Sequence, residues 1–264
     1  SDRIDNNHGN RNIAKLKISY NIHLCVPIIA NDNKDCFLTE FIAMCGRFVL
    51  TTTADHIQQH FGVDDVPALP PRYNIAPTQE VLVIRQSSGG VRSAGLLRWG
   101  LVPHWAKEAA GGNTLINARC ETVHDKPSFR NAIRYHRCLI PASGFIEWQR
   151  LNGGKQPWLI QRRDGQPLAF AGLWDSWQGT DGVLETCCIL TTTANTLMRP
   201  IHDRMPVILC ASEYDQWLDR TTTDPARLSV LYAPCPADLL QAVPISTAIN
   251  NPRHNSPDCL EPLP

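Results

Sequence analysis

Short apolar runs follow one another along most of the chain, and glycine, proline or asparagine residues separate them. Runs of this length between turn residues are typical of β-strands. Helical periodicity is rarer, so the pattern predicts a strand-rich α+β domain rather than alternating βαβ units. The predicted strands cover residues 81–84, 96–102, 138–140, 145–148, 158–160, 168–173, 187–191 and 206–209.

Four segments show the signals of helices. Thr53 ends a threonine run that can cap a helix through Ile57 and Phe61, and Gly62 can end that helix. The other three segments carry apolar residues at helical spacing. They cover residues 128–136, 212–218 and 237–242.

The composition is that of a folded protein with a sizeable core, because 43% of the 264 residues are hydrophobic and 19% are charged. The 25 basic and 25 acidic side chains cancel, so any nucleic-acid site must be a local patch. No apolar run approaches the roughly 18 residues that a membrane span needs. We therefore expect a soluble protein without a membrane partner.

The ten cysteines do not have the spacing of a disulfide module or of a zinc-binding motif. Cys187 and Cys188 are adjacent, no Cys-x-x-Cys occurs, and no His/Cys cluster has zinc-finger spacing. We therefore expect reduced thiols, no metal site and a cytoplasmic protein. The chain also lacks a glycine-rich phosphate loop, so the sequence predicts no nucleotide cofactor.

The composition changes near Met44, which is the first methionine of the chain. Residues 1–43 hold no tryptophan, whereas the rest of the chain holds all seven. We expect residues 1–43 to be a non-domain extension, either a leader or upstream DNA translated from a wrong start. Residues 44–264 are then the domain.

Cys45 follows Met44 directly, and such a small residue permits removal of an initiator methionine. Cys45 would then carry a free α-amine, of pKa ~8, beside a thiol of pKa ~8.5. Such a pair favours aldehydes, because the amine forms a Schiff base and the thiolate closes a five-membered thiazolidine on it. The alternative is a buried cysteine at the start of a strand.

Two segments place a polar side chain two residues before an arginine, Asn117 before Arg119 and His202 before Arg204. In an extended backbone residues i and i+2 share a face, so each segment presents a hydrogen-bonding group beside a guanidinium. A guanidinium suits phosphate. The alternatives are a turn residue at Asn117 and a hydrogen-bonded core imidazole at His202.

Glu147 stands alone in a run of large apolar side chains. Burial would raise the pKa of its carboxyl and make it a candidate proton shuttle, whereas an edge-strand glutamate would face water. Arg98 directly precedes Trp99, and a second tryptophan, Trp105, follows six residues later. Their rings can wedge between bases, but tryptophans in strands more often belong to the core.

These motifs together resemble the SOS-response-associated peptidase family, also called abasic-site processing proteins. The resemblance covers essentially the whole of residues 44–264, including the tail at Asn250, Asn251 and Pro252. Several separate motifs in the family's order carry it: CGRF (45–48), YNIAPT (73–78), WGLVP (99–103), NAR (117–119), SGFIEW (143–148), AGLW (171–174) and HDRMP (202–206).

The resemblance implies a single α+β domain with a strand-rich, β-barrel-like core flanked by helices and a positively charged groove for single-stranded DNA. It also implies an activity in DNA repair. The N-terminal cysteine of the family traps the ring-opened aldehyde of an abasic site as a stable thiazolidine crosslink, which shields the lesion. A peptidase-like self-processing step exposes that cysteine.

The family's site residues carry over onto this sequence position by position. Cys45 is the nucleophile, Asn117 and Glu147 occupy lesion-sensing positions, and His202 occupies the position that helps to open the abasic sugar. The DNA-binding positions are Arg47, Asn74, Trp99, Arg119 and Arg204, with Trp99 in the aromatic wedge. Residues 1–43 depart from the family pattern, because a retained leader acylates the amine of Cys45.

Two other function classes stay open from the residues alone. Cys45, His202 and either Asn117 or Glu147 could form the catalytic set of a cysteine or N-terminal-nucleophile hydrolase acting on peptides or amides. Trp99 and the arginines could instead belong to a non-enzymatic module that binds single-stranded DNA reversibly. If the abasic-site hypothesis holds, we expect the protein to be a monomer, to need no cofactor and to act at the bacterial nucleoid.

Overall fold

The computed structural model describes residues 45–109 and 115–263, which belong to one compact unit, Ile42–Pro264. The predicted extension at residues 1–43 lies outside the described residues. Twelve β-strands dominate the described chain, as the pattern of apolar runs predicts: β1 (Arg47–Leu50), β2 (Arg72–Ile75), β3 (Glu80–Gln86), β4 (Arg92–Trp99), β5 (Asn117–Arg119), β6 (Arg137–Ala142), β7 (Gly144–Leu151), β8 (Gly154–Arg162), β9 (Leu168–Gly179), β10 (Gly182–Thr193), β11 (Arg204–Pro206) and β12 (Leu240–Pro244).

Five of these strands close into a barrel, in the order β10-β4-β3-β6-β9 and back to β10. The β-barrel-like core that the family resemblance implies is therefore confirmed. β10 is long enough to pair with two strands in succession along each of its edges. Along one edge it pairs with β9 and then with β11, and along the other edge it pairs with β4 and then with β5.

The other five strands form a second sheet in the order β12-β8-β7-β1-β2. Side chains alternate across β1, so Phe48 faces the barrel and contacts Trp99 with ring centroids 5.2 Å apart. Val49 faces the opposite side and joins a smaller apolar cluster with Ile146 and Ile249. The segment after β12, residues 245–263, covers that side of the sheet and is called the C-terminal strap below.

The helices are short and lie outside the sheets. The first is the predicted one: the Thr53 hydroxyl accepts the N–H of His56, and Gly62 ends the helix at a φ of 63°, in the left-handed region. The α-helices are α1 (Ala54–Phe61), α2 (Ala132–Tyr135), α3 (Tyr214–Leu218) and α4 (Pro225–Ser229), and the 3₁₀ helices are Ala211–Glu213, Val230–Tyr232, Ala237–Leu239, Thr247–Asn250 and Pro257–Leu260.

Two helix predictions need correction. Of the segment 128–136 only residues 132–135 are α-helical, and the segment 237–242 becomes the strand β12 from Leu240 onward. β12 pairs with the full edge of β8, so tertiary pairing overrides the local helical spacing. In the part of the chain that the structure describes, no helix is both long and apolar enough to cross a bilayer.

Candidate active site

The pairing of β1 with β7 brings Cys45 to Glu147, 102 residues away in sequence. β1 runs antiparallel to β7 with Arg47 opposite Ile146, so the residues before Arg47 approach the residues after Ile146. The backbone N–H of Cys45 donates a hydrogen bond of 2.6 Å to Oε1 of Glu147. Two of the predicted catalytic residues are therefore in direct contact.

Glu147 is buried, with 2% of its surface exposed. It shares its face of β7 with Phe145, which packs into the barrel side of the core, and β7 lies between β1 and β8. An edge-strand glutamate facing water is therefore excluded. Burial raises the pKa of the Glu147 carboxyl to about 8, although the N–H groups of Cys45 and Trp148 favour the carboxylate.

The Cys45 side chain is fully buried, as the alternative interpretation of this residue predicts. Burial, and then the nearby charge of Glu147, raises the pKa of its thiol well above the usual range. The backbone of Cys45 has a φ of 39°, in the left-handed region that non-glycine residues rarely adopt. Such conformations cost free energy and concentrate at functional sites.

The charge of Asp203 acts on Glu147 and raises the pKa of its carboxyl further. Nδ1 of His202 lies 3.0 Å from the backbone N of Arg204 and 3.1 Å from Oδ1 of Asp203. When Nδ1 carries no proton, it accepts a hydrogen bond from the backbone N–H of Arg204. When Nδ1 carries a proton, it donates a hydrogen bond to the carboxylate of Asp203. The imidazole therefore has a partner in either protonation state.

Asn117 and Arg119 lie on one face of β5, as the i and i+2 spacing predicts. Ala118 between them is fully buried, whereas Asn117 is half-buried and Arg119 is exposed. β5 runs parallel to β10, with Arg119 opposite Thr191. The turn interpretation of Asn117 is excluded, because this residue lies in a paired strand.

Arg204 is bound by an ion pair that the motif alone does not reveal. Its guanidinium forms a forked contact with Glu121, in which Nη2 lies 2.9 Å from Oε2 and Nη1 contacts Oε1. Nη2 also donates to the carbonyl of Thr191 at 2.8 Å. The hydrogen bond from Arg204 lowers the pKa of the Glu121 carboxyl. A phosphate that approaches Arg204 therefore has to compete with this carboxylate.

Arg47 is half-buried and held from two sides. Its Nη1 donates to Oδ1 of Asn74 at 2.7 Å and to the carbonyl of Ile249 at 2.9 Å, and its guanidinium lies 5.8 Å from the ring centroid of Trp148. Burial lowers the pKa of Arg47, while the nearby Cys259 opposes that shift. The guanidinium is therefore oriented by the fold.

The prediction that Asn74 binds DNA directly needs correction. Asn74 is 2% exposed, and its amide group donates to the strap carbonyls of Ile249, Asn251 and His254 while its oxygen accepts from Arg47. A buried amide with these partners has no free group for a phosphate or a base. Asn74 instead ties Arg47 to the C-terminal strap.

The prediction that Trp99 is an aromatic wedge is also corrected. Trp99 is fully buried, and its indole N–H donates to the carbonyl of Ile116 at 2.9 Å. Trp105 is 56% exposed and borders a cavity of about 210 Å³. His104, the residue before Trp105, is held in place, because Oδ2 of Asp175 accepts a hydrogen bond from its backbone N–H and also contacts its Nδ1. Trp105 is the exposed indole in this segment, and the sequence did not separate it from Trp99.

The chain matches the family model described as "SOS response associated peptidase (SRAP)" over residues 44–252. It is 44% identical over 225 residues to abasic site processing protein YoqW of Bacillus subtilis, a match that covers 83% of this chain and 99% of that protein. It is 28% identical over 227 residues to abasic site processing protein YedK of Escherichia coli, which covers 83% of this chain and all of that protein.

A solved structure has the same fold. A crystal structure of a protein from Bacteroides thetaiotaomicron superposes with a TM-score of 0.75 at 27% sequence identity. The match covers 83% of this chain and all of that protein.

Proposed function

The chain belongs to the SOS response associated peptidase family, and from this premise we propose that it captures abasic sites in single-stranded DNA through Cys45. The observation that carries the proposal is the contact between the backbone nitrogen of Cys45 and the buried carboxyl of Glu147. The names of YoqW and YedK record abasic-site processing in relatives that share this domain. The proposal concerns a chain whose first residue is Cys45.

The reaction joins the aldehyde of the ring-opened abasic sugar to both nucleophiles of Cys45. The α-amine adds to the aldehyde carbon, and loss of one water gives a Schiff base. The Cys45 sulfur then adds to the carbon of the C=N bond, its proton passes to the nitrogen, and a thiazolidine closes. The product is DNA bound through one C–N and one C–S bond, with water as the only leaving molecule.

Glu147 is placed to move the protons of this sequence. In the chain that keeps the peptide bond before Cys45, burial raises the pKa of this carboxyl to about 8. When Cys45 is the first residue, an α-ammonium at the position of that N–H favours the carboxylate, and the short contact lets a proton pass between the two groups. The carboxylate takes a proton from the α-ammonium and returns it to the hydroxyl that leaves as water.

His202 and Asn117 are proposed to act on the sugar. The His202 imidazole has a partner for Nδ1 in either protonation state, which supports a group that gives and takes a proton as the sugar ring opens. Asn117 shares its strand face with the exposed Arg119. That arrangement supports a site in which an amide contacts the lesion beside a phosphate-binding guanidinium.

The DNA-binding surface is proposed to combine Arg119, Arg47 and Arg204 with the exposed ring of Trp105. Arg119 is exposed and has no ion-pair partner among the described residues, whereas Arg204 is paired with Glu121, so Arg119 supplies the most accessible charge of the three. Single-stranded DNA is bound by such a combination, in which cations follow the backbone and aromatic rings stack on bases.

We expect Trp105→Ala to weaken binding of a single-stranded oligonucleotide by about 1–3 kcal/mol, the usual contribution of one base stacked on an aromatic ring. Fluorescence anisotropy at fixed salt measures the change, and thermal unfolding should stay near that of the unsubstituted protein. Trp99→Ala is the contrasting variant, because a large cavity in the core costs about 3–5 kcal/mol of stability. Unchanged affinity of a folded Trp105→Ala protein would contradict the proposed stacking of a base on this ring.

Self-processing is proposed to expose the amine of Cys45. The thiol attacks the carbonyl of the preceding residue, the acyl group moves from nitrogen to sulfur, and water releases the leader from the thioester. Glu147 supports this step, because its carboxyl with a pKa of about 8 holds a proton at neutral pH and contacts the leaving nitrogen. The left-handed φ of Cys45 supports backbone strain at this position.

The hydrolase alternative has weaker support. Cysteine hydrolases activate their thiol with a neighbouring imidazole that takes its proton. Within residues 45–109 and 115–263, no histidine is hydrogen-bonded to the Cys45 thiol.

The proposal is tested with two purified forms, residues 45–264 with a free Cys45 and the full 264-residue chain. Each is incubated with a single-stranded oligonucleotide that bears one abasic site, and denaturing gels with intact mass detect covalent products. We expect an adduct with the short form, at the combined mass less one water. Adduct from the full chain should appear only with the mass of a chain that has lost its leader. No adduct with either form would favour the hydrolase alternative.

A further inference from the structure

We propose that the C-terminal strap holds a zinc site made by His254, Asp258 and Cys259. One ring nitrogen of His254, a carboxylate oxygen of Asp258 and the Sγ atom of Cys259 all lie within 4.8 Å of one another. His254 and Asp258 are in contact, with Nε2 and Oδ2 2.7 Å apart. These three side chains take no part in the proposed DNA site.

The donor set matches the chemistry of zinc. Imidazole nitrogen, carboxylate oxygen and thiolate sulfur are the three ligand types that zinc takes in proteins. A thiolate and a carboxylate together carry two negative charges, so one divalent zinc ion makes the site neutral. The softness of the thiolate favours zinc over magnesium or calcium, which take oxygen ligands.

The geometry needs only small adjustments. Zinc–ligand bonds of about 2.0–2.3 Å place tetrahedral ligands roughly 3.3–3.8 Å apart. His254 and Asp258 must therefore separate slightly, and Cys259 must approach them. The Cys259 thiol, which contacts the His254 carbonyl at 3.4 Å, loses its proton to solvent as the Zn–S bond forms. The lone pair of Nε2 binds the metal while Nδ1 keeps the ring proton.

The site is accessible on one side and closed on the other. Cys259 is fully buried against the smaller apolar cluster of the second sheet. His254 and Asp258 are partly exposed and face solvent. The hydroxyl of Ser256 lies 3.3 Å from Nε2 of His254, so either Ser256 or a water completes a fourth position.

Metal binding would stiffen the part of the strap that positions Arg47. The carbonyl of His254 accepts from the Asn74 amide at 2.8 Å, and Asn255 accepts the backbone N–H groups of Tyr73 and Asn74. Asn74 in turn holds Arg47. The zinc site itself stands without the proposed function, and only its influence on Arg47 rests on that function.

The test uses the full chain after its metal has been stripped with a chelator and the chelator removed. Titration with Co²⁺, which substitutes for zinc and absorbs light, should show one equivalent bound with a thiolate-to-metal charge-transfer band. Excess Zn²⁺ should displace that band. We expect Cys259→Ser to abolish the band and His254→Asn to weaken binding by about tenfold or more.

Cys210→Ser is the matched control, because Cys210 is an exposed thiol outside the cluster and its loss should leave the titration unchanged. Thermal unfolding gives a second readout for variants that fold less well. Zinc should raise the melting temperature of the unsubstituted protein and of Cys210→Ser to the same extent, and that of His254→Asn by less. Absence of stoichiometric uptake, or a band that survives in Cys259→Ser, would overturn the site.

Discussion

Cys45→Ser, in a chain that begins at residue 45, is expected to reduce the stable adduct with abasic single-stranded DNA by at least about a hundredfold. Serine keeps the α-amine, so the Schiff base still forms, but its hydroxyl is a far weaker nucleophile than a thiolate and does not close the ring. The Schiff base then hydrolyses. Denaturing gels and intact mass over a time course measure the loss.

Borohydride separates the two nucleophiles of Cys45 in the same assay. It reduces a Schiff base to a stable amine, so Cys45→Ser should again give a covalent product when borohydride is present during the incubation. Cys120→Ser is the matched thiol control, because Cys120 is half-buried near Arg204 and takes no part in the proposed reaction. Full adduct formation by Cys45→Ser without borohydride would assign the crosslink to another residue.

Glu147→Gln is expected to slow adduct formation by about 10²–10⁴-fold, the usual contribution of a positioned proton-transfer group. The amide keeps the size and a hydrogen-bonding oxygen for Cys45, but it cannot take the proton of the α-ammonium. The unsubstituted rate should rise as the carboxyl and the amine lose protons, whereas the variant should follow the amine alone. Single-turnover rates across pH 5–9 compare the two profiles.

A stability measurement on the full chain checks that Glu147 has the inferred protonation. Its pKa is about 8 in the folded chain against 4.5 for an ordinary glutamate, so folding retains a proton that unfolding releases. The stability gained in this way is fully present below pH ~4.5 and is lost as the pH rises through about 8. Glu147→Gln should remove this slope from urea unfolding, and an identical slope in both proteins would exclude the raised pKa.

Local signals in the sequence predicted a large share of the fold. Seven of the eight predicted runs lie mainly in strands, because each is short, lies between turn residues and fills a barrel or sheet that is buried on at least one face. The run 206–209 is the exception, since β11 ends at Pro206. The first helix followed from its cap at Thr53 and its end at Gly62, which act within a few residues of each other. The segment 237–242 failed, because the pairing of β12 with β8 is a contact between residues about 80 positions apart.

The candidate site also has features that the local sequence predicted and features that only long-range contacts set. Residue chemistry identified Cys45 and Glu147 as a nucleophile and a carboxyl in apolar surroundings, and those properties belong to the residues and their neighbours. Their contact depends on the register between β1 and β7, which no local pattern encodes. The raised pKa of Glu147 follows from the packing of the second sheet against the barrel, which buries the face of β7 that carries Phe145 and Glu147.

The exposure of the aromatic and polar candidates was decided by the tertiary structure alone. Trp99 and Trp105 have the same side chain and lie six positions apart, yet Trp99 ends a barrel strand inside the core and Trp105 lies in the loop after it. Asn74 looked available for DNA until the C-terminal strap, about 180 residues later, was found to occupy its amide. The sequence by itself determined which chemical groups the chain carries and most of the barrel strands, but it did not predict β1 or β5, which hold Arg47, Asn117 and Arg119. Which groups meet, and which remain open to a ligand, depended on long-range packing, because burial and contact are properties of the folded chain.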